Sequence, residues 1–273
     1  MMKDAQLNSI KLLRLNKFLA KAGVCSRRAA DDAIAHGRVT INGTLVSLGA
    51  TVDSLIDRVT IDGKPVNSPR PSAEHVYLAL YKPPKVITTV SDPQRRTTVL
   101  DLLPSELRRS RPFPVGRLDF LSEGLLLLTT DGDMAMRLSH PRWHLPKCYH
   151  VWIKGPVPAD HLSAISAGMV LAEGDCLAPV QARTIAAPFP LSLSRRPIPS
   201  VVTCLELTLV QGVNRQIRRM CRDLSLPILR LIRVSQGPIK LGSLSPSCVH
   251  SLTPVQLTAL RAAVGLRQND QYI

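Results

Sequence analysis

Close to the start of the chain, apolar side chains recur every three or four positions, which is the spacing of an amphipathic helix. The apolar residues from Leu15 to Ala22 fall on one helical face, and Gly23 follows them as a stop signal. Ser26 can cap a second helix, which Gly37 can end in the left-handed conformation. The pattern therefore predicts two short helices in succession.

Beyond residue 38 the apolar positions alternate with polar ones, which is the period of a β-strand. Two short alternating runs end at Asn42-Gly43 and Asp62-Gly63, dipeptides typical of tight hairpin turns. The segment that follows combines proline with serine, a composition expected of an extended linker. We therefore predict a small domain over residues 12–62, a linker over 63–74 and a larger domain over 75–265.

The larger domain has longer apolar runs and fewer helical patterns. Strands are predicted over residues 76–80, 86–90, 125–129, 149–153, 201–210 and 229–234, and helices over 133–138, 160–167, 215–224 and 254–264. Residues 188–199 have the composition of an exposed loop. These elements indicate an α+β fold, in which a helix-pair and short-strand domain precedes a mixed, mainly antiparallel sheet with flanking helices.

Composition narrows the class of protein. The formal net charge is +15 over 273 residues, with a sequence pI near 10.1, so a polyanion such as nucleic acid is the first partner to consider. An anionic membrane is the competing partner, but no apolar run has membrane-spanning length and no hydrophobic signal segment follows Met1. The six cysteines form no Cys-x-x-Cys pair, which fits a reducing compartment. We therefore expect a cytoplasmic protein that does not bind membranes.

Basic side chains form a cluster in the first domain. They lie on the first predicted helix, apart from its apolar face, and directly after it: Arg14, Lys17, Lys21, Arg27, Arg28 and Arg38. Such a cluster could hold phosphates, although an ordinary solvated face remains the alternative.

The sequence of this region is similar to a known module. Arg14-Leu15-Asn16-Lys17-Phe18-Leu19, together with Ser26-Arg27-Arg28 and Gly37-Arg38-Val39, resembles the ribosomal protein S-four type RNA-binding domain over about residues 12–62. The resemblance implies that the helix pair and the following strand rest on structured RNA. It also implies that the six basic residues named above contact that RNA.

Candidate chemistry lies in the second domain. Asp119 stands in a loop before the apolar run Leu125–Leu128, so its carboxylate would lie at the mouth of a buried sheet. Taken alone, an aspartate in this position could equally cap a turn or pair with Arg117. Asp119 and Glu123 could also form the carboxylate pair of a glycoside hydrolase, although the many arginines favour RNA.

A metal site is the other alternative from the residues themselves. Possible ligands cluster in one segment: His140, His144, Cys148 and His150. Pro141 and Pro146 interrupt this segment and preclude a continuous helix that would align the ligands. We therefore predict no metal site.

The sequence around Asp119 resembles a catalytic signature. Residues 115–132 are similar to the motif of the ribosomal RNA pseudouridine synthases, the family that includes synthase A of the small ribosomal subunit together with synthases B, E and F of the large one. Further similar segments follow the family order, and together they span about residues 75–245: 81–83, 147–151, 212–220, 230–234 and Gly237. The two-domain layout is most similar to the large-subunit synthase B type, and the synthases of the small subunit share it.

The resemblance implies a reaction and roles for several residues. Asp119 would act at the anomeric carbon of uridine, either as a nucleophile or as a base that removes a sugar proton. Arg218 would hold Asp119 by a charge-assisted hydrogen bond, Tyr149 would stack on the flipped base, and Arg117 would fill the space that the base leaves. Arg215 and Arg219 share the basic face of the predicted helix over residues 215–224, where RNA contacts are expected.

Several expectations follow for partners. The substrate is expected to be ribosomal RNA, with the large subunit favoured, for a monomer that needs no organic cofactor or metal. A non-catalytic RNA-binding assembly factor remains the alternative. The chain departs from the family at Ser122, where threonine is frequent, and at Val213, where a basic residue is frequent. The serine keeps the hydroxyl, and the valine removes one possible RNA contact.

Overall fold

A computed structural model describes residues 12–67, 75–143, 145–187 and 200–266. The chain divides into two compact units, Met1–Glu74 and His75–Ile273. Part of the predicted linker and all of the predicted loop over residues 188–199 lie outside the described residues. The limits of the predicted domains therefore stay predictions.

The first unit is a helix pair with short strands. Its elements are β1 (Leu12–Arg14), α1 (Leu15–Lys21), α2 (Arg27–Ala35), β2 (Val39–Ile41), β3 (Thr44–Leu45), β4 (Thr51–Asp53), β5 (Val59–Ile61) and β6 (Lys64–Pro65). Strand β1 pairs with β4, and the other strands form an antiparallel sheet in the order β3-β2-β5-β6. Both predicted helices are confirmed.

Local sequence explains where these elements begin and end. Ser26 Oγ accepts a hydrogen bond from the backbone N–H of Ala29, so it caps α2 as predicted. At both predicted hairpin turns, Asn42-Gly43 and Asp62-Gly63, the two central residues have positive φ, which is the requirement of a type I′ turn. A buried core closes the unit: Leu15, Phe18, Leu19, Ala30, Ala33, Ile34, Val39, Val52 and Val59.

The second unit is a sheet with flanking helices. Its strands are β7 (Tyr77–Lys82), β8 (Phe113–Pro114), β9 (Glu123–Thr129), β10 (Lys147–Lys154), β11 (Gln181–Ile185), β12 (Val202–Leu209), β13 (Ile228–Gln236), β14 (Ile239–Lys240) and β15 (Val249–Ser251). Its helices are α3 (Ser105–Arg109), α4 (Gly132–Ser139), α5 (Ala159–Ala167), α6 (Gln216–Asp223) and α7 (Pro254–Ala262), with a 3₁₀ turn at Pro141–Trp143. In the described residues, every helix is too short or too polar to cross a membrane.

The strand order is β11-β12-β10-β13-β9-β7-β15, with β14 on β13 and β8 on β9. Strands β13 and β9 pair in parallel, and the other pairings between the named strands of this sheet are antiparallel. The predicted α+β class with a mixed, mainly antiparallel sheet is therefore confirmed.

Some elements differ from the prediction. The predicted strand over residues 86–90 is wrong, because Ile87 forms only an isolated bridge with Thr98 and the other residues of the run are not in a strand. Strand β11 lacks a clear apolar pattern because Gln181, Arg183 and Thr184 are polar and exposed, as expected of a strand at the edge of a sheet. Helix α3 and strand β15 are too short for a periodic signal.

Strand β9 positions the site. All of its residues are buried, because Leu125 and Leu127 pack on one side of the sheet while Leu126 and Leu128 pack on the other. The loop before β9 therefore starts from a rigid strand at the centre of the unit.

Candidate active site

The loop that carries Asp119 connects β8 to β9 and is anchored along its length. Val115 and Leu118 are buried in the core, which fixes the loop on either side of Arg117. The Thr88 hydroxyl donates to the carbonyl of Leu118 at 2.8 Å, and the backbone N–H of Leu118 lies 3.3 Å from the same hydroxyl oxygen. The Asp119 side chain remains 36% exposed, so its carboxylate is accessible from a fixed backbone.

The side chain of Lys82 forms hydrogen bonds with the backbone of the same loop. Its Nζ donates hydrogen bonds to the carbonyls of Pro83, Asp119 and Ser122 at 3.0, 3.0 and 2.7 Å, and the residue is fully buried. Burial lowers the pKa of the Lys82 ammonium to about 8, although the charges of Glu123 and Asp119 oppose this shift. Sequence reasoning gave Lys82 no role, because its position under the loop appears only in three dimensions.

Arg218 faces Asp119 from helix α6. Its Nε lies 3.9 Å from Asp119 Oδ2, and its Nη2 donates to the Ser122 hydroxyl at 3.2 Å. Burial lowers the pKa of the Arg218 guanidinium, and the charge of Asp119 opposes this shift. The contact with Asp119 is an ion pair without a hydrogen bond, so it is looser than the charge-assisted hydrogen bond expected from sequence.

The predicted site residues meet in one cleft. Its volume is about 240 Å³, and Asp119, Arg117, Tyr149, Arg215 and Arg218 all line it. Tyr149 is partly buried on β10, where its backbone is paired with Leu207 on one side and Arg233 on the other. Arg117 is exposed, and in the described chain the ion pair of Asp119 is with Arg218 rather than with Arg117.

Arg219 lies outside this cleft, on another side of α6. Its guanidinium forms ion pairs with Glu173 and Asp175, and Arg222 also pairs with Glu173 and with Asp223. These carboxylates balance the charge of Arg219. Its contact with RNA stays a prediction.

The basic residues of the first unit occupy its surface. Arg27, Arg28 and Lys21 are exposed and Lys17 is partly buried. Arg14 donates to the carbonyl of Gly49 at 2.7 Å.

Arg38 has a carboxylate partner. It forms two hydrogen bonds of 2.8 Å with Asp62, which raise the pKa of Arg38 and lower that of Asp62. Both side chains are about half exposed, so the pair remains open to solvent.

Glu123 is not placed to work as a second catalytic carboxylate. It is buried and forms hydrogen bonds of 2.9 and 2.6 Å with Arg230, and Tyr81 Oη donates to it at 3.2 Å. Burial, reinforced by the Glu123 charge, raises the pKa of Tyr81 to about 12. This carboxylate holds the interior together, and the arrangement gives no support to the glycoside hydrolase alternative.

The possible metal ligands that lie close together in the structure are not the set that is close together in the sequence. Cys148 and His150 lie with Glu206 rather than with His140, and the ligand atoms of these three residues are within 4.8 Å of one another. Glu206 Oε1 is already 2.6 Å from Arg183 Nη2, which competes with any cation. His144 lies outside the described residues.

Comparisons with known proteins agree with this site. The family described as RNA pseudouridylate synthase matches residues 76–223, and the S4 domain family matches residues 13–54. An uncharacterised RNA pseudouridine synthase of Aquifex aeolicus is 38% identical over 257 residues, covering 93% of this chain and 96% of that protein. The ribosomal large subunit pseudouridine synthase B of Bacillus subtilis is 36% identical over 250 residues, covering 91% of this chain and 96% of that protein.

A solved structure extends the agreement to the fold. A crystal structure of a pseudouridylate synthase superposes with a TM-score of 0.61 at 27% identity, covering 91% of this chain and 99% of that chain. The region that matches the RNA pseudouridylate synthase family, residues 76–223, contains Asp119, Tyr149 and Arg218. The chain belongs to the RNA pseudouridine synthase family and carries an S4 domain ahead of its catalytic domain.

Proposed function

We propose that this protein converts a specific uridine of large-subunit ribosomal RNA to pseudouridine, with Asp119 as the reacting carboxylate. The observation that carries the proposal is the exposed Asp119 carboxylate, which faces Arg218 in a cleft that Tyr149 also lines. Relatives from Bacillus subtilis and Yersinia pestis, both named ribosomal large subunit pseudouridine synthase B, support the choice of RNA.

The reaction requires a group that manages the sugar while the base turns. The bond between C1′ and N1 breaks, the uracil rotates, and a bond forms between C1′ and C5. The hydrogen on C5 leaves as a proton and N1 gains one, so atoms balance without an oxidant or reductant. Asp119 either attacks C1′, and the ester bond so formed breaks when C5 bonds to C1′, or it removes the proton from C2′ and returns it to C2′ when that bond forms.

Neighbouring side chains have supporting roles in this proposal. Arg218 stabilises the negative charge of Asp119 and is itself oriented by Ser122. The ring of Tyr149 stacks on the extruded uracil, and the exposed Arg117 enters the space that the base leaves. Arg215 contacts RNA phosphate at the rim of the cleft.

The S4 domain supplies further affinity for structured RNA. The residues proposed to contact phosphate are Arg14, Lys17, Lys21, Arg27, Arg28 and Arg38. Replacing both Arg27 and Arg28 with alanine should weaken RNA binding and reduce its dependence on salt, because fewer counterions are released. Replacing Arg109, on α3 of the other unit, is the control, and equal losses in both variants would contradict the role of the S4 domain.

The decisive test of function uses Asp119→Asn and, as a control, Asp160→Asn at an exposed position on α5. Transcribed RNAs of both ribosomal subunits are incubated with each protein and pseudouridines are mapped. We expect one modified position in the large-subunit RNA, abolished by Asp119→Asn with RNA binding unchanged. Modification of small-subunit RNA alone would assign that substrate instead.

The remaining alternative is a non-catalytic assembly factor. It would bind ribosomal RNA but yield no pseudouridine with the wild-type protein, on naked RNA or on assembly intermediates. We infer further that the enzyme acts as a monomer in the cytoplasm, where ribosomal RNA is the abundant polyanion for a chain of charge +15.

A further inference from the structure

Three residues that line the cleft, Lys147, Arg233 and Gln236, are here called its floor, and neither sequence nor family resemblance assigns a role to the two basic ones. Lys147 begins β10 and Arg233 lies on the neighbouring β13, where its backbone is paired with that of Tyr149. Both residues line the same cleft as Asp119. Lys147 and Tyr149 are two positions apart on one strand, so their side chains leave the same face of the sheet.

These two cations have no carboxylate partner in the described part of the chain. Arg233 is only 2% exposed; its Nε donates to the carbonyl of Leu125 at 2.7 Å, while its buried Nη2 has no acceptor among the described residues. Lys147 Nζ donates to the carbonyl of Leu145 at 3.3 Å. Burial and the nearby charge of Arg233 lower the pKa of the Lys147 ammonium.

Two other arginines of this unit, in contrast, face a carboxylate. Arg230, three positions earlier on β13, forms two hydrogen bonds with Glu123, and Arg218 faces Asp119. A buried charge without an opposite charge is destabilising, so unpaired cations in a cleft indicate that a ligand supplies the anion.

Gln236 adds a further unsatisfied group to the cleft floor. It is 1% exposed, its backbone is paired with that of Lys147, and its buried Oε1 has no donor among the described residues. A ligand with both an anionic group and a hydroxyl would satisfy the cations and this amide together. A ribonucleotide carries both, as its phosphate and its 2′-hydroxyl.

We propose that Lys147 and Arg233 form a phosphate subsite that holds the backbone phosphate beside the target uridine while Tyr149 stacks on its base. The inference rests on the proposed function, because it takes the occupant of the cleft to be an extruded uridine. Within an RNA substrate the phosphate is the anionic group, and ammonium and guanidinium groups are its usual protein partners. Binding the phosphate on the floor would fix the sugar relative to Asp119.

The first test measures binding rather than catalysis. Dissociation constants of uridine 5′-monophosphate and of uridine are determined for the wild type, for Lys147→Met and for the control Lys154→Met, which alters an exposed lysine at the other end of β10. We expect the wild type and the control to prefer the monophosphate by about tenfold. The preference should fall several-fold in Lys147→Met, because Arg233 is then the only one of the two cations that remains.

Two results would overturn the proposal. One is equal binding of the monophosphate and uridine by the wild type, and the other is a preference that is as large in Lys147→Met as in the wild type. Lys147→Arg should retain the preference because it keeps the charge, and its loss in that variant would likewise count against a phosphate contact. Melting temperatures of all variants identify any failure to fold.

The second test uses RNA and separates this inference from the proposed function. For an RNA that the wild type modifies, Lys147→Met should reduce the slope of log affinity against log salt by about one, as expected for one lost phosphate contact. An unchanged slope would contradict the subsite. If the wild type modifies no RNA, the proposed function fails, whereas the nucleotide-binding measurement still decides whether Lys147 recognises phosphate.

Discussion

Arg218 Nε lies 3.9 Å from Asp119 Oδ2, in an ion pair that involves charge but no hydrogen bond. The guanidinium is instead oriented by the Ser122 hydroxyl, to which Nη2 donates at 3.2 Å. Because Ser122 and Asp119 belong to the same loop, and Lys82 holds the backbone carbonyls of both, the charge facing Asp119 and the carboxylate itself are positioned together.

Ser122 is therefore expected to contribute to catalysis without touching the substrate. Ser122→Ala removes the acceptor for Arg218, and we expect kcat to fall about five- to tenfold, the equivalent of one ordinary hydrogen bond. Ser122→Thr keeps the hydroxyl and should retain most of the activity. Single-turnover assays measure the rate and a filter-binding assay measures RNA affinity, which should not change. Equal losses in both variants would point to packing rather than to the hydroxyl.

Arg218 should not tolerate lysine. Arg218→Lys keeps the charge but loses the planar group that contacts Asp119 and Ser122 together, so we expect kcat to fall by about a hundredfold or more. Arg222→Lys, on the same helix at an exposed position, is the matched control and should be nearly as active as the wild type. A hundredfold loss in the control as well would show that α6 as a whole is sensitive.

The buried pair of Glu123 and Arg230 should matter for stability. Glu123→Gln removes the carboxylate to which the buried Arg230 guanidinium donates two hydrogen bonds, so the free energy of unfolding should fall by about 3 kcal/mol in urea denaturation. Glu106→Gln, which alters a highly exposed pair with Arg109, should leave stability essentially unchanged. The double variant Glu123→Leu/Arg230→Met should lose less than either single change. Additive losses would contradict the pairing.

Lys82 is expected to give the activity an alkaline limit. Its folded pKa of about 8 lies below the ordinary 10.5, so the native ammonium loses its proton as the pH passes about 8 and one of three carbonyls loses its donor. Activity should fall there. Between pH 8 and pH 10.5, Lys82 binds more protons in the unfolded chain than in the native protein. Its contribution to the free energy of unfolding therefore rises with pH in this range. The loss of activity should therefore precede unfolding.

An arginine at position 82 would test this assignment, because a guanidinium does not lose its proton between pH 8 and pH 10.5. Lys82→Arg, if its melting temperature shows that it folds, should move the alkaline fall in kcat to higher pH. An alkaline limit at the same pH in this variant would assign it to another group.

The sequence predicted best what depends on local pattern. The first helix of the S4 domain follows from the spacing of its apolar residues, whereas the capping role of Ser26 and the two hairpin turns follow from single residues whose backbone preferences are strong. The grouping of Asp119, Arg117, Tyr149, Arg215 and Arg218 followed from resemblance to a family, because these positions are far apart in the chain.

Other features depend on three-dimensional placement. Nothing in the sequence indicates that Arg230 lies against Glu123, 107 positions earlier, or that Arg219 turns to Glu173 while its neighbour Arg218 turns to Asp119. The periodic pattern of α6 identifies its basic positions but not which charge each of them meets. The unpaired cations Lys147 and Arg233 were missed for the same reason, since lack of a partner is visible only when all neighbours are known.

Gly124 is the position where the geometry of β9 leaves least freedom. Its φ of +101° is unfavourable for any residue with a Cβ, and a Cβ there would lie 2.4 Å from the carbonyl oxygen of Arg233. Because β9 meets β13 in parallel at this point, the obstructing atom is backbone and cannot rotate away. Gly124→Ala should therefore lower the free energy of unfolding by about 2–4 kcal/mol, combining backbone strain with overpacking.

The matched control for this change is Gly132→Ala. Gly132 begins α4 and its φ is not positive. Apart from its chain neighbours and the backbone of its own helix, no described atom lies within 4 Å of a Cβ placed there, so alanine should be neutral or slightly stabilising. Urea denaturation of both variants measures the difference. Because Arg233 is the residue that Gly124 contacts, a folded Gly124→Ala protein should also lose part of its preference for uridine 5′-monophosphate over uridine. A destabilised variant that kept the full preference would show that the floor of the cleft does not depend on the close contact between β9 and β13.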